Sequence, residues 1–475
     1  MKTPAGIVGP AYRDDALPAS AQECINWVPV PIEAAGGRSN FILRDVPGLT
    51  SRVTVGTGPI RGARNVNETL FVVSGTSLYS IDSNWTPSGP LGTVAGTGRV
   101  SMAHNFSVDG DAGFAGAELV IVNGTQGYVW NTATSGFSTI TDPDWVPART
   151  VAYQGQYIIF DTPTGFQISV RDRATSYEFD FETAQVNPDA ALSVLVDHEE
   201  VWVFGPRSIE IFQNTGNTDF PYERNAGATI ERGLGAIHSA QQVDNSVFWL
   251  ADNGIVYRAQ GYTPERISWF AIEQDIKAAG LADWFGKTWV DGGATYYAIT
   301  HPNGKSWVYD ASTGQWHRRK SYLMDRWRAN CVVNCYGYNI VGDYENGTIW
   351  TLDDSSRTEG TQPLIRERVS GYVHENQLPI FYHGAELVMN TGNASLTGTA
   401  SQTAPVVELR YSDDFGRNWS NWKTRSLGLV GQYAKIVRFG PLGRSLNRLF
   451  HVRVSDPIRS ELVASTLNVS VGTRI

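Results

Sequence analysis

The sequence predicts an all-β protein: a β-propeller of six or seven blades, followed by a C-terminal antiparallel β-domain. Three observations predict this fold. Seven apolar hairpins recur along the chain, Asn-Gly pairs stand in four of them, and the composition suits short strands. Glycine occurs 48 times and aromatic residues make up 11% of the 475 residues, while charged residues make up only 18%. Long helices favour alanine, leucine, glutamate and lysine instead.

Each of the seven hairpins consists of a short apolar strand, a polar turn and a second apolar strand. Successive hairpins begin 38 to 49 residues apart, at Leu70, Leu119, Tyr157, Val201, Val247, Tyr296 and Asn339. A period of about 45 residues is typical of a four-stranded propeller blade. Each hairpin would therefore supply two strands of a blade, and the weaker apolar runs between hairpins would supply the others.

Four of the turns contain Asn-Gly, at Asn123-Gly124, Asn253-Gly254, Asn303-Gly304 and Asn346-Gly347. A two-residue hairpin turn that follows the strand twist needs positive φ, which Asn and Gly adopt at low cost. We therefore expect tight two-residue turns at these positions.

The flanks of the repeat differ from it, which predicts three regions. Residues 1–55 are rich in Pro and Gly and read as an extended N-terminal arm, and residues 56–380 form the propeller. Residues 381–475 alternate apolar and polar side chains and predict the C-terminal β-domain, with a charge-free loop at 390–405. One short helix is expected between blades at 267–280, where apolar residues recur at helical spacing.

Charge and cysteine content exclude several classes. The formal net charge is −9, which argues against a general nucleic-acid binder. The densest basic run, Arg318-Arg319-Lys320, is expected to be a solvated or subunit-facing loop rather than a DNA clamp. Three cysteines are too few for a disulfide framework, which fits folding in a reducing cytoplasm. No signal peptide and no membrane insertion are expected.

The motifs that could carry chemistry favour structural roles. Ser412, Asp414, Gly416 and Trp419 match an Asp-box, a hairpin turn found in sialidases that holds no catalytic group. Cys331 and Cys335 lack further ligands at zinc spacing, so they predict buried apolar positions and no metal site. No catalytic residue and no cofactor-binding residue is predicted.

One segment resembles the signature of a known family. The segment GTGRVSMAHN, at 96–105, contains Gly98, Arg99, Ser101, Met102 and His104. It is similar to a signature of the packaged-DNA-stabilisation proteins of short-tailed bacteriophages. These proteins are also called tail hub or nozzle proteins. Similar segments follow the family's order along nearly the whole chain: INWVPVPIE, SNFILRDVPGLTSR, RSIEIFQNTG, ISWFAIEQDI, YSDDFGRNWSN and RSLNRLFHVRVSDP.

The resemblance implies a structural virion protein that is not an enzyme. It implies a homo-hexameric ring in the tail, below the portal and adaptor rings, assembled in the host cytoplasm. The ring would close the DNA exit channel, retain the packaged double-stranded DNA, let it pass on ejection, and contact tail fibre or spike and tail tip proteins. Contacts in such a ring are heterologous, and 1–55 and 390–405 are candidates for them.

Two alternatives remain open at this stage. The first is a propeller glycosidase of the sialidase type, against which the single Asp-box and the missing arginine cluster weigh. The second is a receptor-recognition module that binds glycans through aromatic side chains such as Trp289, Trp307 and Trp316, although blade packing also uses tryptophan.

Overall fold

The structure is a computed structural model that describes residues 2–34, 36–106, 116–177, 182–183, 190–217 and 220–473, with backbone alone at 182–183. Five strands precede the repeat. They are β1 (Lys2–Pro4), β2 (Glu23–Ile25), β3 (Trp27–Pro31), β4 (Phe41–Asp45) and β5 (Gly48–Thr54).

Seven four-stranded antiparallel sheets follow, and each is one propeller blade. Blade 1 consists of β6 (Ile60–Val66), β7 (Thr69–Ser74), β8 (Ser77–Ile81) and β9 (Pro87–Thr93). Blade 2 consists of β10 (Ser101–His104), β11 (Glu118–Val122), β12 (Gly127–Asn131) and β13 (Gly136–Thr139). Blade 3 consists of β14 (Val151–Gln154), β15 (Tyr157–Thr162), β16 (Gly165–Ile168) and β17 (Glu182–Thr183).

The remaining blades have the same order. Blade 4 consists of β18 (Ser193–Asp197), β19 (Glu200–Phe204), β20 (Ile209–Asn214) and β21 (Tyr222–Arg224). Blade 5 consists of β22 (Gln241–Val243), β23 (Ser246–Leu250), β24 (Val256–Gln260) and β25 (Thr263–Arg266). Blade 6 consists of β26 (Phe285–Asp291), β27 (Ala294–Thr300), β28 (Ser306–Asp310) and β29 (Gln315–Arg318). Blade 7 contains β30 (Ala329–Cys335), β31 (Tyr338–Asp343) and β32 (Thr348–Asp353), and β5 is its outermost strand.

The first strands of the blades form a closed ring around the axis. Contacts run from β6 through β10, β14, β18, β22, β26 and β30 and return to β6. Seven separate clusters of buried apolar side chains fill the seven gaps between neighbouring blades. The predicted propeller is confirmed. Each predicted hairpin is the second and third strand of one blade.

The predicted geometry of the Asn-Gly turns is wrong. These turns are four or five residues long, and none of the four asparagines has positive φ. Three of the asparagine side chains accept a hydrogen bond from the backbone N–H two residues on, at 3.0 Å for Asn123, 3.1 Å for Asn253 and 2.9 Å for Asn346. The asparagine is therefore selected for a side-chain-capped turn, which it forms more readily than other residues.

Two-residue turns with positive φ at both positions occur elsewhere, between the first and second strands of blades. The six pairs are Asn67-Glu68, Gly155-Gln156, His198-Glu199, Asp244-Asn245, Gly292-Gly293 and Tyr336-Gly337. This geometry matches the right-handed strand twist. Most of these pairs contain residues other than glycine, so sequence reasoning missed them. The corresponding turn of blade 2 lies mostly outside the described residues.

The predicted helix is α1 (Phe270–Ala279), between blades 5 and 6. Its side chains Ile272 and Ile276 are fully buried in the gap between these blades, and Gly280 ends the helix with a φ of 87°. In the described part of the chain, no helix has the length and apolar character needed to cross a membrane.

The C-terminal domain is a sandwich of two sheets around one apolar core. Its strands are β35 (Arg366–Val369), β36 (Val373–His374), β37 (Ile380–Met389), β38 (Val406–Ser412), β39 (Lys423–Ser426), β40 (Val437–Phe439), β41 (Gly443–Ser445), β42 (Asn447–Val454) and β43 (Leu462–Val471). A short helix, α2 (Ala400–Thr403), lies in the predicted loop, and β33 (Thr358–Glu359) and β34 (Gln362–Pro363) connect the domains. The sandwich thus begins at β35, before residue 381.

Residues 1–55 are not the extended surface arm that their composition suggests. β1, β3 and β4 join one sheet of the sandwich, and β2 lies between β35 of the sandwich and β29 of blade 6. β5 closes the propeller by pairing with β32. Extended Pro-rich segments can pair at sheet edges, and here they complete two domains.

Candidate functional site

The signature segment lies at the axial mouth of the propeller, where the chain enters blade 2. Gly98 and Arg99 precede β10, and Ser101, Met102 and His104 are part of it. Arg61 holds the approach to this strand by donating to the carbonyl oxygens of Gly98 at 2.5 Å and Val94 at 2.9 Å. It also donates to the carbonyls of Gly75 and Ala95, both at 3.0 Å.

The other signature side chains join blade 2 to its neighbours. The Ser101 hydroxyl accepts a hydrogen bond from the Val151 N–H of blade 3 at 3.1 Å, and Met102 is buried in the gap towards blade 1. His104 Nδ1 accepts from Arg64 Nε at 3.1 Å. Burial, and then the Arg64 charge, lower the pKa of His104 to about 4, so its imidazole is neutral and can accept this bond.

Among the residues of this segment, Arg99 contacts side chains of the blades that lie farthest along the chain, blades 6 and 7. Its Nη2 donates to the Asn330 carbonyl at 2.8 Å and to Asn330 Oδ1 at 3.0 Å, and its guanidinium lies 3.7 Å from the centre of the Phe285 ring. Asn330 in turn donates to the Ile60 carbonyl of blade 1 at 2.8 Å. The segment therefore contributes contacts that connect blades around the ring.

The Asp-box-like residues form a hydrogen-bonded turn at the end of β38 in the sandwich. Asp414 accepts from the Ser412 hydroxyl at 2.8 Å and from the Asn418 N–H at 2.8 Å, and Gly416 has a φ of 85°. Trp419 packs against His451 with its ring centre 5.3 Å away. Asp414 is thus held by hydrogen bonds within the turn, while the neighbouring Asp413 pairs with Arg448 of β42 at 2.6 Å.

The charge of Asp414 is expected to stabilise the turn only above acidic pH. Hydrogen bonds from Asn418 and then Ser412 lower the pKa of Asp414 to about 2, below its usual value of roughly 3.9. A depressed folded-state pKa contributes stability above the unfolded pKa, and this is lost as pH falls from about 4 to about 2. Asp414→Asn should therefore lower the urea midpoint at pH 7 and pH 5 equally, and the difference should shrink below pH 4.

Asp252→Asn is the control for this prediction, because Asp252 is exposed and makes no side-chain hydrogen bond among the described residues. A deficit of Asp414→Asn that persists unchanged at pH 3 would contradict the assignment.

The three tryptophans considered for glycan binding are buried between blades. Trp289, Trp307 and Trp316 expose 6%, 9% and 1% of their surfaces. Trp307 Nε1 donates to Asp275 at 3.0 Å, and Trp316 Nε1 donates to the Ile267 carbonyl at 2.8 Å. A sugar ring could not stack on them without separating the blades, so these residues do not form a glycan site.

The structure places the two closely spaced cysteines on β30. Cys331 is partly buried and Cys335 is buried. Across the described ranges, no three His, Cys, Asp or Glu side chains are grouped so that they could hold a metal ion.

The densest basic run is not a solvated loop. Arg318 and Arg319 expose 7% and 1% of their surfaces at the junction between the propeller and the sandwich. Arg319 stacks on Trp327 at 3.9 Å and donates to the Pro47 carbonyl at 2.7 Å. Sequence alone could not locate this run, because its acceptors come from the N-terminal strands that pack over it.

A buried ion cluster at the same junction centres on Asp45. Its carboxylate faces the guanidinium groups of Arg366 at 3.2 Å and Arg357 at 3.4 Å. It also accepts from Trp27 Nε1 at 2.8 Å and from the Ser460 N–H at 2.7 Å. These partners come from the N-terminal strands, the interdomain segment and the sandwich, so one carboxylate joins three parts of the chain.

An exposed apolar surface lies on two loops of the sandwich. The Thr391 hydroxyl donates to the carbonyls of Gln432 and Tyr433 at 3.0 and 3.1 Å, which holds the loops together. Leu396 and Tyr433 expose 82% and 70% of their surfaces. We call this surface the sandwich-loop patch; its members are Leu396, Leu429, Val430, Tyr433 and Ile436. Grouped exposed apolar side chains are typical of interaction surfaces.

Three solved structures illustrate remote likenesses to this chain. The extracellular domain of the one-component system BT4673 from B. thetaiotaomicron is 12% identical, with a TM-score of 0.43 over 64% of this chain and 40% of that one. PorZ from Porphyromonas gingivalis is 11% identical, with a TM-score of 0.39 over 80% and 46%. The N-terminal domain of Nup159 is 10% identical, with a TM-score of 0.38 over 70% and 99%. The chain thus spans less than half the length of the first two.

No curated protein matches the chain. Two family models do match, and their ranges follow the two domains of the structure. Residues 12–357 match the β-propeller of bacteriophage P22 Gp10, and residues 366–471 match its β-sandwich. The boundary between the two matches falls in the segment of β33 and β34. The chain therefore belongs to the bacteriophage P22 Gp10 family of packaged-DNA stabilisation proteins, which are structural proteins of the phage virion.

Proposed function

We propose that the chain forms a homo-hexameric ring in the phage tail, below the portal and adaptor rings. The ring closes the DNA exit channel, retains the packaged genome and lets it pass on ejection. The observation that supports this most strongly is the family match through both domains. The net charge of −9 suits a bore that lets DNA slide past, because like charges repel.

The sandwich-loop patch is the surface we assign to the contact between neighbouring subunits. A ring needs a heterologous contact, in which one patch meets a different patch on the next subunit. Five exposed apolar side chains on two tied loops suit such a contact, since their burial is favourable. Other surfaces of the ring would contact tail fibre or spike and tail tip proteins.

The mass of the assembled tail tests the ring, with six copies expected. A tail that contains one copy of the chain would overturn the proposal. The glycosidase alternative has a separate test, which is an assay of glycan turnover by the purified protein. The copy number of the chain in the tail does not depend on that assay.

Substitutions in the patch test its role. The double variant Leu396→Ser and Tyr433→Ser is expected to fold normally, because both side chains are exposed, but to lose ring assembly in sedimentation velocity. Phe106→Ser is the control, since Phe106 is 61% exposed just after β10 in blade 2 of the propeller. Normal assembly of the double variant would contradict the assignment of this patch.

A further inference from the structure

Arg99 lies at the mouth of the axial channel of the propeller. It lies in the segment between β9 of blade 1 and β10 of blade 2, and its partners Phe285 and Asn330 belong to blades 6 and 7. Around the ring of first strands, blade 1 lies between blade 2 and blade 7. Phe285 begins the first strand of blade 6, and Asn330 is the second residue of the first strand of blade 7. The Arg99 side chain therefore lies at the end of the channel where the first strands begin.

Two further cations converge on the same aromatic ring. Lys287 Nζ lies 4.7 Å from the centre of the Phe285 ring, and the Arg326 guanidinium lies 5.5 Å from it. We call Arg99, Lys287 and Arg326 the axial cluster. Within the described residues, no ion pair shorter than 4.0 Å includes any of the three. Burial lowers the pKa of Arg326, and the carboxylates of Asp343 and Glu345 act to raise it. Both carboxylates form ion pairs with Arg328 instead, at 3.1 and 3.8 Å.

Two members of the axial cluster, Arg99 and Lys287, differ from the other buried cations of this protein. Arg366 and Arg448 face carboxylates at 3.2 and 2.6 Å, and Arg61 donates to four carbonyl oxygens. By contrast, among the described residues Arg99 donates through one of its three nitrogens, and Lys287 makes one hydrogen bond, to the Thr300 hydroxyl at 2.7 Å. Arg326, the third member, donates to the carbonyl oxygens of Trp327, Pro302 and Ala329 at 3.2 to 3.4 Å. On Arg99 and Lys287, donors therefore remain that have no acceptor among the described residues.

Burying uncompensated charges side by side is unfavourable. Burial, followed by the charges of Arg326 and Arg99, lowers the pKa of Lys287 well below its ordinary value. His238, which lies beside Phe285, is neutral for the same reason, since burial and then Arg99 lower its pKa to about 3. An anion at the mouth would satisfy the remaining donors and offset this repulsion.

We propose that the axial cluster binds a tetrahedral oxoanion of the phosphate class at the mouth of the propeller channel. Arg99 is partly exposed and supplies the accessible donors, while Lys287 and Arg326 are buried against the same Phe285 ring. Guanidinium and ammonium groups together are well suited to phosphate oxygens. The phosphate could be the free ion or a phosphodiester of DNA, since both present the same group.

Calorimetric titration of the full chain with inorganic phosphate tests the proposal, at ionic strength held constant with sodium chloride. One phosphate per chain is expected. Arg99→Gln is expected to weaken binding about tenfold or more, the effect typical of losing a charged hydrogen bond. Arg438→Gln is the matched control, because it removes one charge from an exposed arginine of the sandwich. Absence of binding to the unmodified chain, or equal affinity in Arg99→Gln, would overturn the proposal.

A second readout needs no substitution. Cys331 lies close enough to Arg99 and Lys287 for their charges to act on its thiol, and it is partly exposed, while Cys24 and Cys335 are buried. Phosphate is expected to slow alkylation of Cys331, and an unchanged rate at saturating phosphate would count against the site.

Displacement of phosphate by a short oligodeoxynucleotide would identify DNA as the source, and failure to displace it would identify the free ion. Neither readout depends on ring assembly, so the test is separate from that of the proposed function.

Discussion

Replacing Asp45 with alanine is expected to lower the free energy of unfolding by about 3–5 kcal/mol, the cost typical of breaking a buried ion cluster by removing one partner. The carboxylate is fully buried between Arg357 and Arg366. Without it, two buried guanidinium groups would face each other, and the Trp27 and Ser460 donors would lose their acceptor. Because Arg357 lies in the segment that connects the propeller to the sandwich, the loss should reach the junction between the two domains as well as the sandwich.

Urea denaturation followed by tryptophan fluorescence measures this effect. Asp354→Ala is the matched control, because Asp354 also faces Arg357, at 3.2 Å, but its side chain is 66% exposed. An exposed pair of this kind contributes at most about 1 kcal/mol. Equal losses for the two variants would show that burial of Asp45 does not matter.

Deleting residues 1–55 is expected to abolish cooperative folding. The deletion removes the outermost strand of blade 7 and three strands of one sandwich sheet, together with β2 between the domains. It would leave β32 with an unpaired edge and open the apolar gap between blades 6 and 7, to which Leu49 contributes. Soluble yield and the thermal transition by circular dichroism measure the outcome.

A milder variant tests the same contact without truncation. Leu49→Ala should cost about 2–5 kcal/mol, as is typical of a buried leucine. Val290→Ala on β26, where the side chain is 59% exposed, should change the free energy of unfolding by less than about 0.5 kcal/mol. Co-expression of residues 1–55 with the truncated chain should restore soluble protein, because β5 is held by strand pairing. A truncated chain that melts like the full chain would show that these residues are a dispensable arm.

The apolar hairpins and their spacing were sufficient to predict the propeller. Alternation of apolar and polar residues reflects local burial, and each hairpin closes over a few residues, so both can be predicted without knowing distant contacts. The family resemblance of the segment at 96–105 also came from the sequence. Its physical role did not, because Arg99 acts on residues more than a hundred positions away.

Errors in the prediction share one cause. The Pro-rich N-terminus and the basic run at Arg318-Arg319-Lys320 both look like solvent-exposed segments, yet each is buried against a partner distant in sequence. Likewise, the turn pairs His198-Glu199 and Asp244-Asn245 adopt positive φ because strand pairing on both sides demands it.

By itself, the sequence determined the fold class, the seven repeated hairpins, the single longer helix and the family, since these depend on local pattern and order along the chain. Only the tertiary structure decided that there are seven blades, that residues 48–54 close the last one, and that Asp45 joins the N-terminal strands to the interdomain segment and the sandwich. It alone brought Arg99, Lys287 and Arg326 together at the channel mouth. Closing a ring brings residues from opposite ends of the chain into contact, and such contacts leave no local trace in sequence.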